Sequence, residues 1–302
     1  MFSQRSFVFF LTLMVSFMIS SMAFGQQIIP KDVEPKKVST GYQFTEGPLW
    51  HPDGYLLFSD IPANTVYKWT PGEKAVEYLN PSGHSNGLAF DGEGSLLLAQ
   101  HDGAVARLRD DKTKSVIIDE YNGKRLNSPN DLTVKSDGAI YFTDPPFGVE
   151  DENRELDFSG VYRYTESNGL QLLTDVFELP NGIVFSPDEK HLYVNDSETN
   201  QIRVFDVNSD GTLSEGSIFA TMEASADGAA DGMKVDTDGN LYSTGPGGLW
   251  IFAPSGELLQ QFDTPYITNL AWGGADRQTL YMTSPSAVLE LQTNQTGSTF
   301  SQ

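Results

Sequence analysis

The sequence predicts an all-β protein, a six-bladed β-propeller built from four-stranded antiparallel blades. The first observation is a repeat, because six times an oxygen-bearing side chain stands seven residues before a turn position. The second is its period, since the intervals between successive turn positions are 40, 44, 51, 50 and 38 residues. The third is the content of each unit, short β-rich runs separated by Gly, Pro, Asn and Asp. Such a period with such runs is typical of propeller blades.

We call the six oxygen-bearing residues the ring positions: Glu46, Asn86, Asn130, Asn181, Asp231 and Asn269. The turn positions that follow them are Asp53, Glu93, Asp137, Asp188, Asp238 and Asp276. Each ring position begins the innermost strand of its unit, so six donors are expected around one axis, on the face that carries the loops between second and third strands. Asn-Gly turn formation alone could explain the asparagines, but it does not explain Glu46 or Asp231.

The strands of each unit follow from runs that alternate or are rich in β-branched and aromatic residues. In unit one they are Pro48–Trp50, Tyr55–Ser59, Val66–Trp69 and Ala75–Leu79. In unit four they are Ile183–Phe185, His191–Asn195, Gln201–Val207 and Ser217–Thr221. In unit five they are Met233–Asp236, Asn240–Ser243, Gly248–Phe252 and Leu258–Phe262.

The sixth unit is short, because only a polar tail follows Ala287–Leu291. A β-like stretch over Lys37–Phe44 precedes the first unit and has no unit of its own. We therefore expect this N-terminal strand to complete the last blade, which would remove a free sheet edge.

Residues 1–25 have the composition of a cleaved secretory signal peptide. Arg5 precedes an apolar run from Phe7 to Ile19, and small residues lead to Gly25. The run is too short for a typical membrane span, although an uncleaved anchor stays the alternative. We expect residues 26–302 to form a single propeller domain that is exported, periplasmic or extracellular, and free of the membrane after cleavage.

Composition limits the kinds of site and partner that this chain can have. The chain has no cysteine, which excludes disulfides, thiolate nucleophiles and zinc–sulfur sites. Its formal charge of −22 disfavours nucleic acid and anionic lipid as partners, and it attracts cations. Carboxylate and amide oxygens are the ligands that calcium prefers, whereas zinc favours His or Cys. The ring positions therefore predict a hard divalent cation, held by some of the six residues.

The chain resembles the senescence-marker-protein-30/gluconolactonase/luciferin-regenerating-enzyme family, closest to its bacterial gluconolactonases. The resemblance extends from about residue 40 to 291 and rests on EGPLW, GHSNGLAFD, GKRLNSPNDL, GAIYFTDPPFG, LPNGIVFSPDEKHLYV and DGMKVDTDGNLY. It implies one catalytic divalent cation, usually Ca²⁺, with Zn²⁺, Mn²⁺ and Mg²⁺ as alternatives. The implied metal ligands are Glu46, Asn181 and Asp231. Asn130 matches a position that contacts metal, substrate or an intervening water.

The resemblance also implies hydrolysis of sugar lactones, or of organophosphates in distant members. We expect Asp231 to be the general base as well as a ligand. The substrate-binding candidates are Asn130, His84, Asn86, Arg125 and Phe147. The resemblance implies a substrate-holding Arg in the animal branch where this chain has Ser128. Arg125 is a nearby candidate for that role, and a solvated surface residue is the alternative. His84 has a structural hydrogen bond as its alternative role.

Other polar residues have weaker assignments. His101 and Asp102 are candidates for the pocket wall, while His51 and His191 are interpreted as structural. An insertion over Pro146–Ser159 is expected above the ring positions, with its charged run in solvent.

The sequence thus favours an exported, calcium-dependent hydrolase of a small-molecule lactone such as glucono-1,5-lactone, as a monomer or weak dimer. The alternatives are another lactonase or a phosphotriesterase, and a non-catalytic propeller in which calcium only locks the fold around a partner-binding face.

Overall fold

The computed structural model describes residues 27–223 and 226–299. Over these residues, six four-stranded antiparallel sheets form a ring, which confirms the predicted six-bladed propeller. In the same part of the chain, no helix is long and apolar enough to cross a membrane. The predicted signal peptide, residues 1–25, lies outside the described residues, and the single domain over 26–302 stays a prediction.

The first two blades follow the N-terminal strand β1 (Lys36–Thr40). Blade 1 comprises β2 (Thr45–His51), β3 (Tyr55–Asp60), β4 (Thr65–Trp69) and β5 (Val76–Leu79). Blade 2 comprises β6 (Ser85–Phe90), β7 (Leu96–Gln100), β8 (Ala104–Leu108) and β9 (Lys114–Ile118).

A short hairpin separates blades 2 and 3, with strands β10 (Glu120–Tyr121) and β11 (Lys124–Arg125). Blade 3 comprises β12 (Leu132–Val134), β13 (Ile140–Asp144), β14 (Ser159–Thr165) and β15 (Gly169–Phe177), with a 3-10 turn at Asp151–Asn153 before β14. Blade 4 comprises β16 (Pro180–Phe185), β17 (His191–Asp196), β18 (Gln201–Asp206) and β19 (Ser217–Thr221).

Blade 5 comprises β20 (Met233–Val235), β21 (Leu241–Gly245), β22 (Gly248–Phe252) and β23 (Leu258–Asp263). Blade 6 has three strands from the end of the chain, β24 (Leu270–Gly273), β25 (Thr279–Ser284) and β26 (Ala287–Gln292). Its fourth strand is β1, which pairs antiparallel with β26 and sets Lys36 opposite Glu290. The predicted closure is confirmed, although β1 ends at Thr40 rather than Phe44, because Gly41 turns the chain with φ 104°.

Six apolar clusters hold the ring together, and each lies between two neighbouring blades. The cluster between blades 5 and 6 includes Trp272, Tyr242 and Leu280, and also Ile28 and Ile29 from the segment before β1. Burial of apolar side chains on both faces of every blade explains why the inner strands are nearly continuous hydrophobic runs after each ring position.

Candidate functional site

The glycine that follows most ring positions allows close approach between neighbouring blades at the axis. A Cβ on Gly47 would lie 2.0 Å from the carbonyl oxygen of Asn86, and one on Gly182 would lie 2.2 Å from that of Asp231. Only glycine fits such an approach without a backbone shift. The Asn-Gly and Asp-Gly pairs therefore have a backbone reason for the glycine, while the side chain before it is free to face the axis.

In three of the inner strands, the regular pairing with the neighbouring strand is interrupted at the ring position. The pairing register shifts between Glu46 and Leu49 in β2, between Ser85 and Leu88 in β6, and between Pro180 and Ile183 in β16. An irregularity of this kind bends a strand and re-aims its side chains. We infer that these irregularities direct the ring side chains to the pocket around the propeller axis rather than into the apolar core between blades.

Three carboxylates and one ammonium group are buried near the axis. Glu46, Asp131 and Asp231 are 2%, 3% and 9% exposed, and Lys234 is 9% exposed. The Asn269 amide nitrogen donates to Glu46 Oε2 at 3.0 Å and lies 3.4 Å from Asp131 Oδ2. Lys234 Nζ donates to the Met233 carbonyl at 3.1 Å, so its charge stays inside the cluster.

Burial changes the acidity of these groups. Loss of water raises the pKa of Glu46 to about 7, against the opposing effect of a hydrogen bond from the Gly47 N–H. Burial raises the pKa of Asp231 well above its usual range, and the charges of Glu46 and Asp131 add to that rise. Burial also raises the pKa of Asp131, while Lys234 lowers it. The ionised forms of these carboxyl groups are therefore poorly solvated in the metal-free protein.

A divalent cation fits this cluster. With every group ionised, three carboxylates and one ammonium carry a formal charge of −2, which one divalent ion would neutralise. Asn181 is buried beside them, and a hydrogen bond from its side chain lowers the pKa of Asp231. Among the described residues, no three His, Cys, Asp or Glu side chains form a ready metal group. The candidate ligands instead combine two carboxylates, Glu46 and Asp231, with the amide oxygen of Asn181.

Four polar side chains continue from the cluster as a chain of hydrogen bonds. Asn86 Nδ2 donates to Asn130 Oδ1, and Asn130 Nδ2 donates to Asn181 Oδ1, both at 2.6 Å. Asn181 Nδ2 then donates to Ser197 Oγ at 3.0 Å. All three amides are at most 6% exposed. The ring positions of blades 2, 3 and 4 are therefore linked in one orientation.

A pocket of about 350 Å³ lies over the ring positions. Its lining residues come from loops on one face: Phe44, Glu46, Ile61, Pro62, Asn86, His101, Asn130, Phe147, Asn181, Ser197, Ala229, Asp231 and Tyr266. Phe147 and Tyr266 are 44% and 38% exposed, so aromatic surface faces the opening. A groove of about 1000 Å³ lies at the turn positions of blades 1 to 3, and its described lining includes none of the ring positions.

The structure brings most of the predicted site residues to this pocket. Glu46, Asn181 and Asp231 lie at its floor, and Asn86, Asn130 and Phe147 line it.

His84 and Arg125 lie elsewhere. The His84 side chain is 42% exposed, and its Nδ1 lies 2.8 Å from Asp102 Oδ1. Arg125 Nη1 donates to the carbonyls of Leu126 and Asn127, each at 3.0 Å. Both side chains thus have partners of their own, and neither residue lines the pocket.

Sequence reasoning does not assign Asp131, Lys234 or Tyr266 to the site. Asp131 stands where four of the six units have glycine, so this departure from the repeat was a usable signal. Lys234 lies within a β-rich run, and the sequence does not show on which face of the strand its side chain lies. Tyr266 lies in a loop ahead of β24. The sequence predicts for His101 only a place in the pocket wall, and the structure sets its Nε2 3.2 Å from Asn130 Oδ1.

The insertion of blade 3 lies beside the pocket. Ser128 Oγ accepts a hydrogen bond from the Gly148 N–H at 2.8 Å and donates to the Pro145 carbonyl. Leu156 is buried in the cluster between blades 2 and 3, which anchors the far end of the insertion. Glu150, Asp151 and Glu152 are exposed, so the charged run lies in solvent. Ser128 therefore fixes the start of this segment.

Comparisons with known proteins agree with this architecture. Residues 44–286 match the model of the family described as SMP-30/Gluconolactonase/LRE-like region. The gluconolactonase of Zymomonas mobilis is 35% identical over 291 residues, which covers 86% of this chain and 81% of that protein. A solved gluconolactonase from Xanthomonas campestris is 33% identical, with a TM-score of 0.80 over 88% of this chain and 91% of that one.

A more distant solved structure shows the fold alone. It is a calcium-binding protein, regucalcin, from Agrobacterium tumefaciens, at 20% identity. Its TM-score is 0.73, with 90% of this chain and 97% of that chain covered.

Proposed function

The chain belongs to the SMP-30/gluconolactonase/LRE-like family and is a lactone hydrolase, and we propose that it opens sugar lactones, such as glucono-1,5-lactone, with the help of a divalent cation. The observation that carries the proposal is the pair of buried carboxylates, Glu46 and Asp231, at the floor of a pocket whose upper wall is aromatic. Carboxylates with raised pKa values in a pocket are typical of a catalytic site.

Ca²⁺ is the cation that we propose, held by Glu46, Asn181 and Asp231. These residues offer only oxygen donors, which suits a hard cation. When bound, a divalent cation supplies Lewis acidity toward a carbonyl oxygen and lowers the pKa of water. Zn²⁺, Mn²⁺ and Mg²⁺ stay as alternatives for the same oxygen donors.

We assign Asp231 as the general base of the hydrolysis. Water attacks the lactone carbonyl carbon, the carbonyl oxygen takes up negative charge, and Asp231 accepts the proton of the attacking water. Asp231 borders the pocket, so its carboxylate can reach a water that attacks a bound lactone. The carbonyl then re-forms as the ring C–O bond breaks, and the released alkoxide takes the proton from Asp231, which gives the open hydroxy acid and restores the base.

Asn86 and Asn130 are proposed to orient the sugar hydroxyls, since their amides border the pocket. Phe147, Phe44 and Tyr266 would cover the faces of a compact ring and keep water from it. The pocket volume of about 350 Å³ suits a small ligand rather than a polymer.

The proposal is tested by acid release from glucono-1,5-lactone, with spontaneous hydrolysis subtracted. Chelator should abolish the enzymatic rate and added Ca²⁺ should restore it. Asp231→Asn should lower kcat by roughly 10²–10⁴-fold, as expected for loss of a general base. Glu46→Gln should weaken Ca²⁺ binding in a calorimetric titration. A calcium-loaded wild type that does not exceed the spontaneous rate would refute the lactonase assignment for this substrate.

Export is proposed as well. Gln27, Ile28 and Ile29 already contact blades 5 and 6, and the Gln27 carbonyl accepts a hydrogen bond from Asn294 Nδ2 at 2.8 Å. Cleavage after Gly25 would leave these contacts intact. The test is N-terminal sequencing of the protein from the periplasm or medium, and light scattering of the same sample measures whether it is a monomer or weak dimer.

A further inference from the structure

We propose that His101 is a positioning residue, which fixes the carboxamide of Asn130 and, through it, the carboxamide of Asn181. The inference rests on the proposed function, because it assigns a role at the same site. It differs from the assignments above in that His101 acts on neither the lactone carbonyl nor the attacking water.

The contacts around Asn130 Oδ1 set the orientation of its amide. His101 Nε2 lies 3.2 Å from this oxygen, and Asn86 Nδ2 lies 2.6 Å from it. His101 Nε2 also lies 3.3 Å from Asn86 Nδ2, and Asn86 Nδ2 has the shorter contact with Asn130 Oδ1. An amide oxygen can only accept, so a hydrogen bond from His101 to Asn130 Oδ1 needs the tautomer with its proton on Nε2, and the Asn86 N–H then points to the same oxygen. Two N–H groups then converge on Asn130 Oδ1, and the Asn130 NH₂ group must face the other way.

The Asn130 NH₂ group faces Asn181, a proposed metal ligand. Asn130 Nδ2 donates to Asn181 Oδ1 at 2.6 Å, and Asn181 Nδ2 donates to Ser197 Oγ at 3.0 Å. Ser197 Oγ in turn donates to the carbonyl of Ala230, which precedes Asp231. A carboxamide that rotates by half a turn exchanges donor for acceptor, so each amide fixes the next. The oxygen of Asn181 keeps a second lone pair for a cation.

The blade 3 insertion holds His101 in place from above. A Cβ on Gly148 would lie 2.5 Å from His101 Cβ and 3.0 Å from its carbonyl oxygen. Glycine at position 148 thus lets the backbone rest on the histidine, while its N–H is tied to Ser128 Oγ. Burial lowers the pKa of His101, which agrees with a neutral ring that donates through one nitrogen.

The experiment compares His101→Leu, which removes the N–H donor, with His101→Gln, whose amide can present an N–H at nearly the same place. His191→Leu is the matched control, since His191 pairs with Asp206 on β18, away from the pocket. The measurements are the Ca²⁺ Kd by calorimetry, and kcat and KM separately on glucono-1,5-lactone. Thermal unfolding in chelator checks that each variant folds.

His101→Leu should weaken Ca²⁺ binding by about 10-fold, the usual lower bound for loss of a residue that orients a metal ligand. KM should rise more than kcat falls, because Asn130 also faces the substrate. His101→Gln should recover most of both losses, and His191→Leu should match the wild type. A role in packing alone would leave Gln no better than Leu.

The inference is overturned if folded His101→Leu keeps the wild-type Ca²⁺ Kd, or if Gln gives no rescue. A wild type that binds Ca²⁺ but does not hydrolyse the lactone would refute only the proposed substrate, and a Kd weakened in His101→Leu would still support the positioning role. A wild type that binds no Ca²⁺ would overturn both proposals.

Discussion

Asp131 adds a third buried carboxylate to the site. It replaces the glycine of the repeat, and its carboxylate is 3% exposed beside Glu46 and Asp231. Asn269 and the Leu132 N–H hold it by hydrogen bonds. When ionised, Asp131 therefore adds a negative charge near the proposed ligands, and an approaching cation is attracted to it through a medium of low dielectric constant.

We predict that Asp131→Asn weakens Ca²⁺ binding by about 10-fold, because it removes one of three carboxylates that attract the cation. The shape of the side chain is nearly unchanged, so loss of charge is the main effect. Calorimetric titration at constant ionic strength measures the Kd. Asp137→Asn makes the same charge change on an exposed turn and should leave the Kd unaltered. An equal Kd for Asp131→Asn would remove this residue from the electrostatics of the site.

The raised pKa values predict how pH affects the metal-free protein. Carboxyls with a folded pKa above the unfolded value of about 4.3 keep protons that the unfolded chain has lost. Their contribution to stability is complete below that value and disappears as pH rises through the folded pKa, about 7 for Glu46. In chelator, the thermal midpoint should therefore decrease between about pH 4.5 and 7.

Ca²⁺ should reverse this loss, so the rise in thermal midpoint on adding Ca²⁺ should be larger at pH 8 than at pH 5. Calcium binding near pH 6.5 should also release protons, which calorimetry in buffers of different ionisation enthalpy measures. Glu46→Gln should reduce the release. The same calcium-dependent rise at both pH values would contradict Ca²⁺ binding by carboxyl groups with raised pKa values.

At the scale of the element, the glycines after the ring positions allow the inner strands to approach. Gly182 illustrates this, since its N–H donates to Asn195 Oδ1 at 2.8 Å while a Cβ would meet the Asp231 carbonyl at 2.2 Å. The repeat therefore encodes two features at once. Glycine provides the backbone approach, and the residue before it provides the oxygen.

We predict that Gly182→Ala lowers the free energy of unfolding by about 1–3 kcal/mol, the usual cost of forcing an extra carbon into a packed site. It should also weaken Ca²⁺ binding, because the clash is with the backbone of Asp231. Gly92→Ala is the control, since a Cβ there meets nothing within 4 Å. Urea unfolding of the two variants makes the comparison, and equal stability would show that the backbone at Asp231 yields at no cost.

For the molecule as a whole, stability depends on closing a ring of six interfaces. The segment before β1 contributes to the interface of blades 5 and 6, where Ile29 is fully buried. The Gln260 side chain accepts from the Ile29 N–H and donates to its carbonyl, both at 3.1 Å. This segment and β1 thus hold the two ends of the ring from the same stretch of chain.

Ile29→Ala should lower the free energy of unfolding by about 2–5 kcal/mol, because it leaves a cavity in a packed interface. Ile218→Ala removes the same atoms from a side chain that is 54% exposed, and it should change stability by less than about 0.5 kcal/mol. Chemical denaturation measures both. If the two changes cost the same, the N-terminal segment would be dispensable for closure.

The sequence by itself determined the number of blades, the closure by an N-terminal strand and the ring positions. It could do so because turn residues and the alternation of strands are local signals that repeat in every blade. It also separated Glu46 and Asp231 from the asparagines, since their charge has no backbone purpose.

Only the tertiary structure decided which side chains near these positions share the site. His84 and His101 flank the same two strands in sequence, yet His101 lies beside Asn130 whereas His84 pairs with Asp102. Asn269 Nδ2 lies near both Asp131 and Glu46, and the charge of Asp131 affects Asp231, although these residues are distant in sequence. Such contacts depend on how six blades pack around one axis, and no local pattern records them.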